Sequence, residues 1–186
     1  MQFYENKLTN KFRAKTPKGF YDKDKGHTGV DYLVPVGTPV SLPLPLTFIG
    51  TLMQLEMGRT AYLKDAEGNI HITSHLTTTL KKAGDPVAPG EVFAISGNTG
   101  RISTDPHVHY EVISETPQKG LEFMTRKLWN FTGFNVDPMP FLNKPKIPLK
   151  RLATQQAAKR ALSDLSFAER QRERRAKQHK FLTKNS

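Results

Sequence analysis

The chain has 186 residues, 37% hydrophobic and 9% aromatic, a composition that supports a buried core and excludes wholesale disorder. It contains no cysteine, which rules out disulfides and thiolate metal sites and leaves His, Asp, Glu and water as ligands for any metal. Its net charge of +11 is segregated, with 15 Lys+Arg against 14 Asp+Glu in residues 1–143 and 13 against 3 in residues 144–186, so the high pI is no argument for nucleic-acid binding by the body.

The opening "MQFYENKLTNKFRAKTPKGF" is polar and lacks the apolar centre of a signal peptide. No later apolar run approaches the ~18 residues of a membrane span. The expectation is a protein with neither signal peptide nor span, brought to any target outside the cytoplasm by other means.

The body then reads as mainly β. "HTGVDYLVPVGTPV" has strand-like Val and Leu positions ending in a Pro-Val-Gly-Thr-Pro turn, and "PLTFIGTLMQLEM" and "RTAYLKD" are two more strands flanking Gly58. "DAEGN" is a turn leading into "IHITSHL", where Ile70 and Ile72 alternate with His71, Thr73 and His75. "AGDPVAPGEVFAIS" sets turn residues around short apolar pieces, "GNTG" turns again, and "HVHYEVI" alternates as a strand. Short strands without a βαβ rhythm predict an antiparallel β-sheet or sandwich. Residues 114–135 are less regular, with "LEFMTRKLWNF" fitting one or two helical turns or a packed loop. "NVDPMPFLNKPKIPLK" reads as extended, its start closing the domain and its end serving as a linker. From Arg151 the chain is rich in Ala, Arg, Gln and Leu without Gly or Pro, a basic α-helical tail in which Ser163 or Ser166 could cap a second segment. The predicted organisation is a β domain over 1–143, then a Pro-containing linker and helical tail over 144–186.

Three separated segments carry potential ligands: His27 and Asp31 in "GHTGVD", His75 with His71 nearby in "HITSHL", and His107 and His109 in "DPHVHYEVI". A catalytic zinc site commonly uses three protein ligands and leaves a fourth position to water. On a strand His107, His109 and Glu111 share a face, so two imidazoles can converge on one small volume. Either both bind the metal, or one binds it and the other touches the water. Gly29 disfavours a helix between His27 and Asp31, and a turn entering a strand could bring both to one centre. Each piece alone has a plainer reading: a polar strand face, a turn acid, a histidine bonded to a backbone carbonyl. The coincidence of all three in order, each beside turn-forming glycines or prolines, favours a site.

"GHTGVD", "SHL" and "GNTGRISTDPHVHYEV", in this order and at these separations, resemble the lysostaphin-type (LytM-like) zinc endopeptidases, which cleave peptide cross-links of bacterial cell walls. The resemblance covers roughly residues 8–142 and extends to "GTPV", "GDPVAPGE" and the "NVDPMPFL" close. It implies that His27, Asp31 and His109 hold one zinc ion per chain, that His107 is the general base taking a proton from the attacking water, and that His75 orients or stabilises the oxyanion. The implied activity is hydrolysis of peptidoglycan cross-links or stem peptides at the cell wall. A non-catalytic peptidoglycan-binding or assembly-docking module is the alternative.

Three positions depart from the family pattern. Thr73 stands where an aromatic is usual, Asp105 where Gly commonly precedes the "PH" pair, and Tyr110 where Phe is frequent. None removes a ligand or catalytic histidine, but Thr73 and Asp105 bear on substrate fit. His71 reads as a strand-face residue meeting water or substrate near the groove, His179 as a solvated tail residue, and Trp129 as a core anchor or substrate platform. The region 114–135 exceeds the family core and could wall the groove. The tail reads as a docking or anchoring element for a polyanion or a larger assembly such as a phage tail, so the expected setting is a virion component or an enzyme released by lysis.

Overall fold

The protein is described by a computed structural model over residues 2–15, 26–115, 125–128 and 131–143. Its strands are β1 (Lys7–Asn10), β2 (Val30–Leu33), β3 (Pro39–Val40), β4 (Leu46–Gln54), β5 (Gly58–Lys64), β6 (Ile70–Thr79), β7 (Pro86–Val87), β8 (Ala94–Ser96), β9 (His107–Ser114), β10 (Thr125–Leu128) and β11 (Phe131–Val136). A short 3-10 helix at Phe3–Glu5 precedes β1, and the α-helical turn α1 (Met139–Leu142) follows β11. All pairings are antiparallel and link the strands into one network, with the path β1-β2-β9-β6-β5-β4-β7 as its spine. The antiparallel β class read from the sequence is the fold observed. Among the described residues no helix is long and apolar enough to cross a membrane. The linker and tail over 144–186, with His179, and also Trp129, lie outside the described residues.

Period-2 alternation sorts the central strands into two faces. Val30, Tyr32, Val108, Tyr110 and Val112 point one way and join Val40, Leu42, Phe48, Leu63 and Phe93 in the main core. Asp31, Leu33, His107, His109 and Glu111 have the opposite parity. A smaller apolar cluster of Tyr62, Ile70, Ile72 and Ile113 lies apart from the main core.

Two expectations change. "LEFMTRKLWNF" is not helical where it is described: Thr125–Leu128 pairs with Phe131–Val136, and Asn135 and Val136 pair with Ile113 and Val112 of β9. The stabilising partner is a strand some twenty residues away, which local propensity cannot register. "DPMPFL" is not extended but makes one helical turn, because Asp137 Oδ1 accepts the Met139 N–H at 3.0 Å and Asn143 N–H reaches Met139 O at 3.1 Å. The polar N-terminus is part of the fold, with Phe3 fully buried and edge-on to Tyr32 and Tyr110.

Candidate metal centre

Strand register delivers the first half of the site. β2 and β9 pair with Asp31 opposite His109 and Leu33 opposite His107. Directly opposed residues share a face, so the Asp31 carboxylate meets the His109 ring, with Oδ1 2.9 Å from Nδ1. His27 enters from the turn before β2. Its backbone is clamped on both sides, Arg13 N–H to His27 O at 2.7 Å and His27 N–H to Ala14 O at 2.9 Å. Its Nε2 then lies 3.2 Å from Asp31 Oδ2 and 3.1 Å from His109 Nδ1.

Gly29 permits this approach. A Cβ there would stand 2.2 Å from the Tyr110 carbonyl oxygen and 2.9 Å from Cε1 of His109. No side chain fits between the His27 turn and β9.

His27, Asp31 and His109 therefore offer three ligand atoms within 4.8 Å of one another. The donor chemistry fits a metal: two imidazoles and a carboxylate, the imidazoles buried and the carboxylate half-buried. The second nitrogens of the two rings are also held. Nδ1 of His27 donates to the Lys11 carbonyl at 3.2 Å, and Nε2 of His109 faces Glu111 Oε2 at 3.3 Å. Glu111 is fully buried and accepts the Thr28 hydroxyl at 2.6 Å. Such partners fix the tautomer and strengthen the ligand. Glu111 was visible in the sequence as a member of the histidine face, but nothing there gave it a role. The Lys11 carbonyl had no signal, because a backbone oxygen leaves no mark in sequence.

The electrostatics follow from the contacts. Burial opposes the charge on Asp31, but hydrogen bonds from His109 and His27 outweigh it and hold the carboxyl well below the usual range. Burial likewise opposes the charge on His109, yet Asp31 and Glu111 push its pKa up to about 9. A metal bound at Nδ1 would displace the proton that these carboxylates favour.

His107 and His75 lie beside this cluster. His107 Nε2 is 3.9 Å from Asp31 Oδ1, and its Nδ1 donates to the Asp105 carbonyl at 2.7 Å. The His75 and His107 ring centroids are 4.5 Å apart. His75 reaches the site by a bulge. Arg59 of β5 pairs with Leu76 and Ala61 with Thr73, so β6 carries one extra residue between them. His75 there adopts φ +63°, a left-handed conformation uncommon outside glycine. Simple alternation would have put His75 with His71 and Thr73 on the core side, and the bulge turns it toward His107. Burial and the charges of His107 and His109 lower its pKa to about 4.

Two sequence readings are corrected here. His71 does not border a groove: it is fully buried, with Nδ1 2.7 Å from the Tyr110 hydroxyl and Nε2 3.1 Å from Asp65 Oδ2. Thr73, also fully buried and opposite Tyr110, does not shape substrate fit. Asp105 is exposed and contributes its carbonyl to His107.

Comparison with known proteins agrees with this geometry. Residues 25–120 match Peptidase family M23. The peptidoglycan DD-endopeptidase ShyA of Vibrio cholerae is 38% identical over 89 residues, 47% of this chain and 20% of that protein. The chain spans about a fifth of the length of such curated relatives. The catalytic domain of lysostaphin from Staphylococcus simulans superposes with a TM-score of 0.60 at 25% identity, covering 76% of this chain and 96% of that domain. A zinc-containing peptidase from Vibrio cholerae gives 0.52 at 28% identity, covering 57% of this chain and 33% of the other.

Proposed function

From the premise that the chain belongs to peptidase family M23, we propose that it is a zinc endopeptidase that hydrolyses peptide cross-links or stem peptides of bacterial peptidoglycan. One observation carries the reading: a His27–Asp31–His109 triad of ligand atoms within 4.8 Å, flanked on one side by His107 and His75. One zinc ion per chain, held by these three residues, suits two imidazoles and a carboxylate with no thiolate. When bound, the ion supplies Lewis acidity, polarising the scissile carbonyl and lowering the pKa of water there to ~7.

The chain's own groups supply the rest. A carbonyl oxygen carries no proton, so the bond to Asp105 O fixes the His107 proton on Nδ1 and leaves a lone pair on Nε2. His107 is then the general base. Its Nε2 takes the proton of the attacking water as the O–C bond forms, and returns it to the leaving amine nitrogen as the C–N bond breaks. His75 is locked the same way, Nδ1 to the Thr99 carbonyl at 2.8 Å, and its low pKa keeps it neutral at pH 7. A neutral ring with Nδ1 engaged accepts at Nε2, so His75 orients the reactants. Direct stabilisation of an oxyanion would require a second proton on that ring.

The similarity to ShyA favours a direct link between D-amino acids over glycyl bridges or Ala–Gly junctions. The test is digestion of purified sacculi of differing bridge chemistry, with new amino groups counted and fragments identified by mass. His109→Ala is expected to lose zinc, and His107→Ala to keep zinc while turnover falls about 100-fold or more. Folded, zinc-replete protein that binds sacculi and releases no amino groups would leave a binding module in place of an enzyme.

A further inference from the structure

We infer that Thr99, in the "GNTG" turn, is a positioning residue for His75, resting on the reading of His75 as part of the catalytic machinery. The His75 bulge opens the β5–β6 ladder at the Arg59–Leu76 pair, and the Thr99 hydroxyl occupies that opening. It accepts the Arg59 N–H at 3.0 Å and donates to the Leu76 carbonyl at 2.9 Å. The same residue's carbonyl takes the His75 Nδ1–H, and the His75 backbone N–H is bonded to Met57 O at 3.1 Å. One threonine therefore closes the bulge with its side chain and sets the imidazole with its backbone.

The seat for Thr99 is built for close approach. A Cβ on Gly58 would lie 2.3 Å from the Thr99 carbonyl carbon and 2.4 Å from its Oγ1, and one on Gly100 would lie 2.3 Å from Gly58 N. Both glycines have positive φ, +64° and +93°. On the outer side Arg101 N–H to Leu55 O at 2.9 Å and the two-pronged Arg101–Glu56 pair tie the turn to the β4–β5 hairpin. The β4–β5 hairpin and the turn thus interlock around the atom that holds His75. A loop with only a covering role would need neither contact through glycine nor a hydroxyl bonded to both strands.

The experiment compares Thr99→Val, which keeps the shape and removes both hydroxyl bonds, with Thr99→Ser, which keeps them. Each is prepared as zinc-loaded full-length protein and assayed on a purified cross-linked muropeptide dimer, with His75→Ala alongside. Thr99→Val is expected to keep its zinc affinity and KM and to lose kcat about 10- to 100-fold. Thr99→Ser should recover most of that loss. Nitrogen NMR of the histidine rings gives a readout independent of turnover, with the His75 Nδ1–H signature blurred in Thr99→Val and restored in Thr99→Ser. If His75→Ala is inactive while Thr99→Val matches the wild type in kcat and NMR, the positioning role is overturned. Equal impairment of Thr99→Val and Thr99→Ser overturns it too. Full activity in His75→Ala would instead remove the role of His75 itself.

Discussion

If His109 binds the metal through Nδ1, the ring must first give up the Nδ1 proton that faces Asp31, while Glu111 holds the proton on Nε2. With its pKa near 9, about 1% of metal-free protein has the ring neutral at pH 7. The proton therefore weakens the apparent affinity at pH 7 by about 100-fold, roughly 3 kcal/mol, relative to alkaline pH. Apparent zinc affinity should tighten about 10-fold per pH unit between pH 6 and 8 and level off near pH 9. Competition against a chelator of known pH dependence measures the slope. Calorimetry in buffers of different ionisation heat should count about one proton released per ion at pH 7. Glu111→Gln removes one of the two carboxylates that raise the ring, so levelling-off moves to lower pH while the limiting affinity falls about 10- to 100-fold. The sign for the metal-free fold is opposite. A folded pKa raised above the ordinary 6.5 adds stability that is fully present below 6.5 and lost as pH rises through about 9. A zinc affinity independent of pH from 6 to 9, in protein shown to be folded, would refute the argument. So would an unchanged profile in Glu111→Gln.

Gly29→Ala places a Cβ against the Tyr110 carbonyl and the His109 ring; it should cost about 1–3 kcal/mol and sharply weaken zinc binding, and unchanged zinc content and Tm would sink that reading. In the core, burial opposes the charge on Asp65, but hydrogen bonds from His71 and Asn69 hold its pKa well below the ordinary 3.8. The resulting stability is present above pH 4 and lost as pH falls below it, so denaturant midpoints should drop more from pH 5 to 3 in the wild type than in His71→Leu; parallel losses would refute the coupling.

The cluster of His27, Asp31 and His109 was legible because metal chemistry restricts residue types, and a strand's period of two puts His107, His109 and Glu111 on one face. Asp31 was legible only as a member of a pattern: what joins it to His109 is the β2–β9 register, a tertiary fact. Parity failed at His75 and His71 for one reason. A bulge inserts a residue and reverses the facing of everything beyond it, so His71 belongs to the core while His75 belongs to the site. The hairpin over 125–136 and the Phe3 anchor were missed because each is stabilised by a distant partner, Ile113 for Asn135 and Tyr110 for Phe3.

What distinguishes the four site histidines is the partner of each ring's second nitrogen. His27, His75 and His107 donate to backbone carbonyls, of Lys11, Thr99 and Asp105, supplied by three separate parts of the chain. His109 alone faces a buried carboxylate, Glu111. A neutral carbonyl holds the proton on Nδ1 and turns the Nε2 lone pair toward the site, where it would serve a metal at His27 and a water proton at His107. A carboxylate adds electron density to the opposite nitrogen, which suits a ligand that must hold a dication and never cycle. Two histidines on one strand, two residues apart and alike in sequence, thereby meet different partners: in the function proposed above, Glu111 supports His109 as a ligand and the Asp105 carbonyl sets His107 to carry the proton.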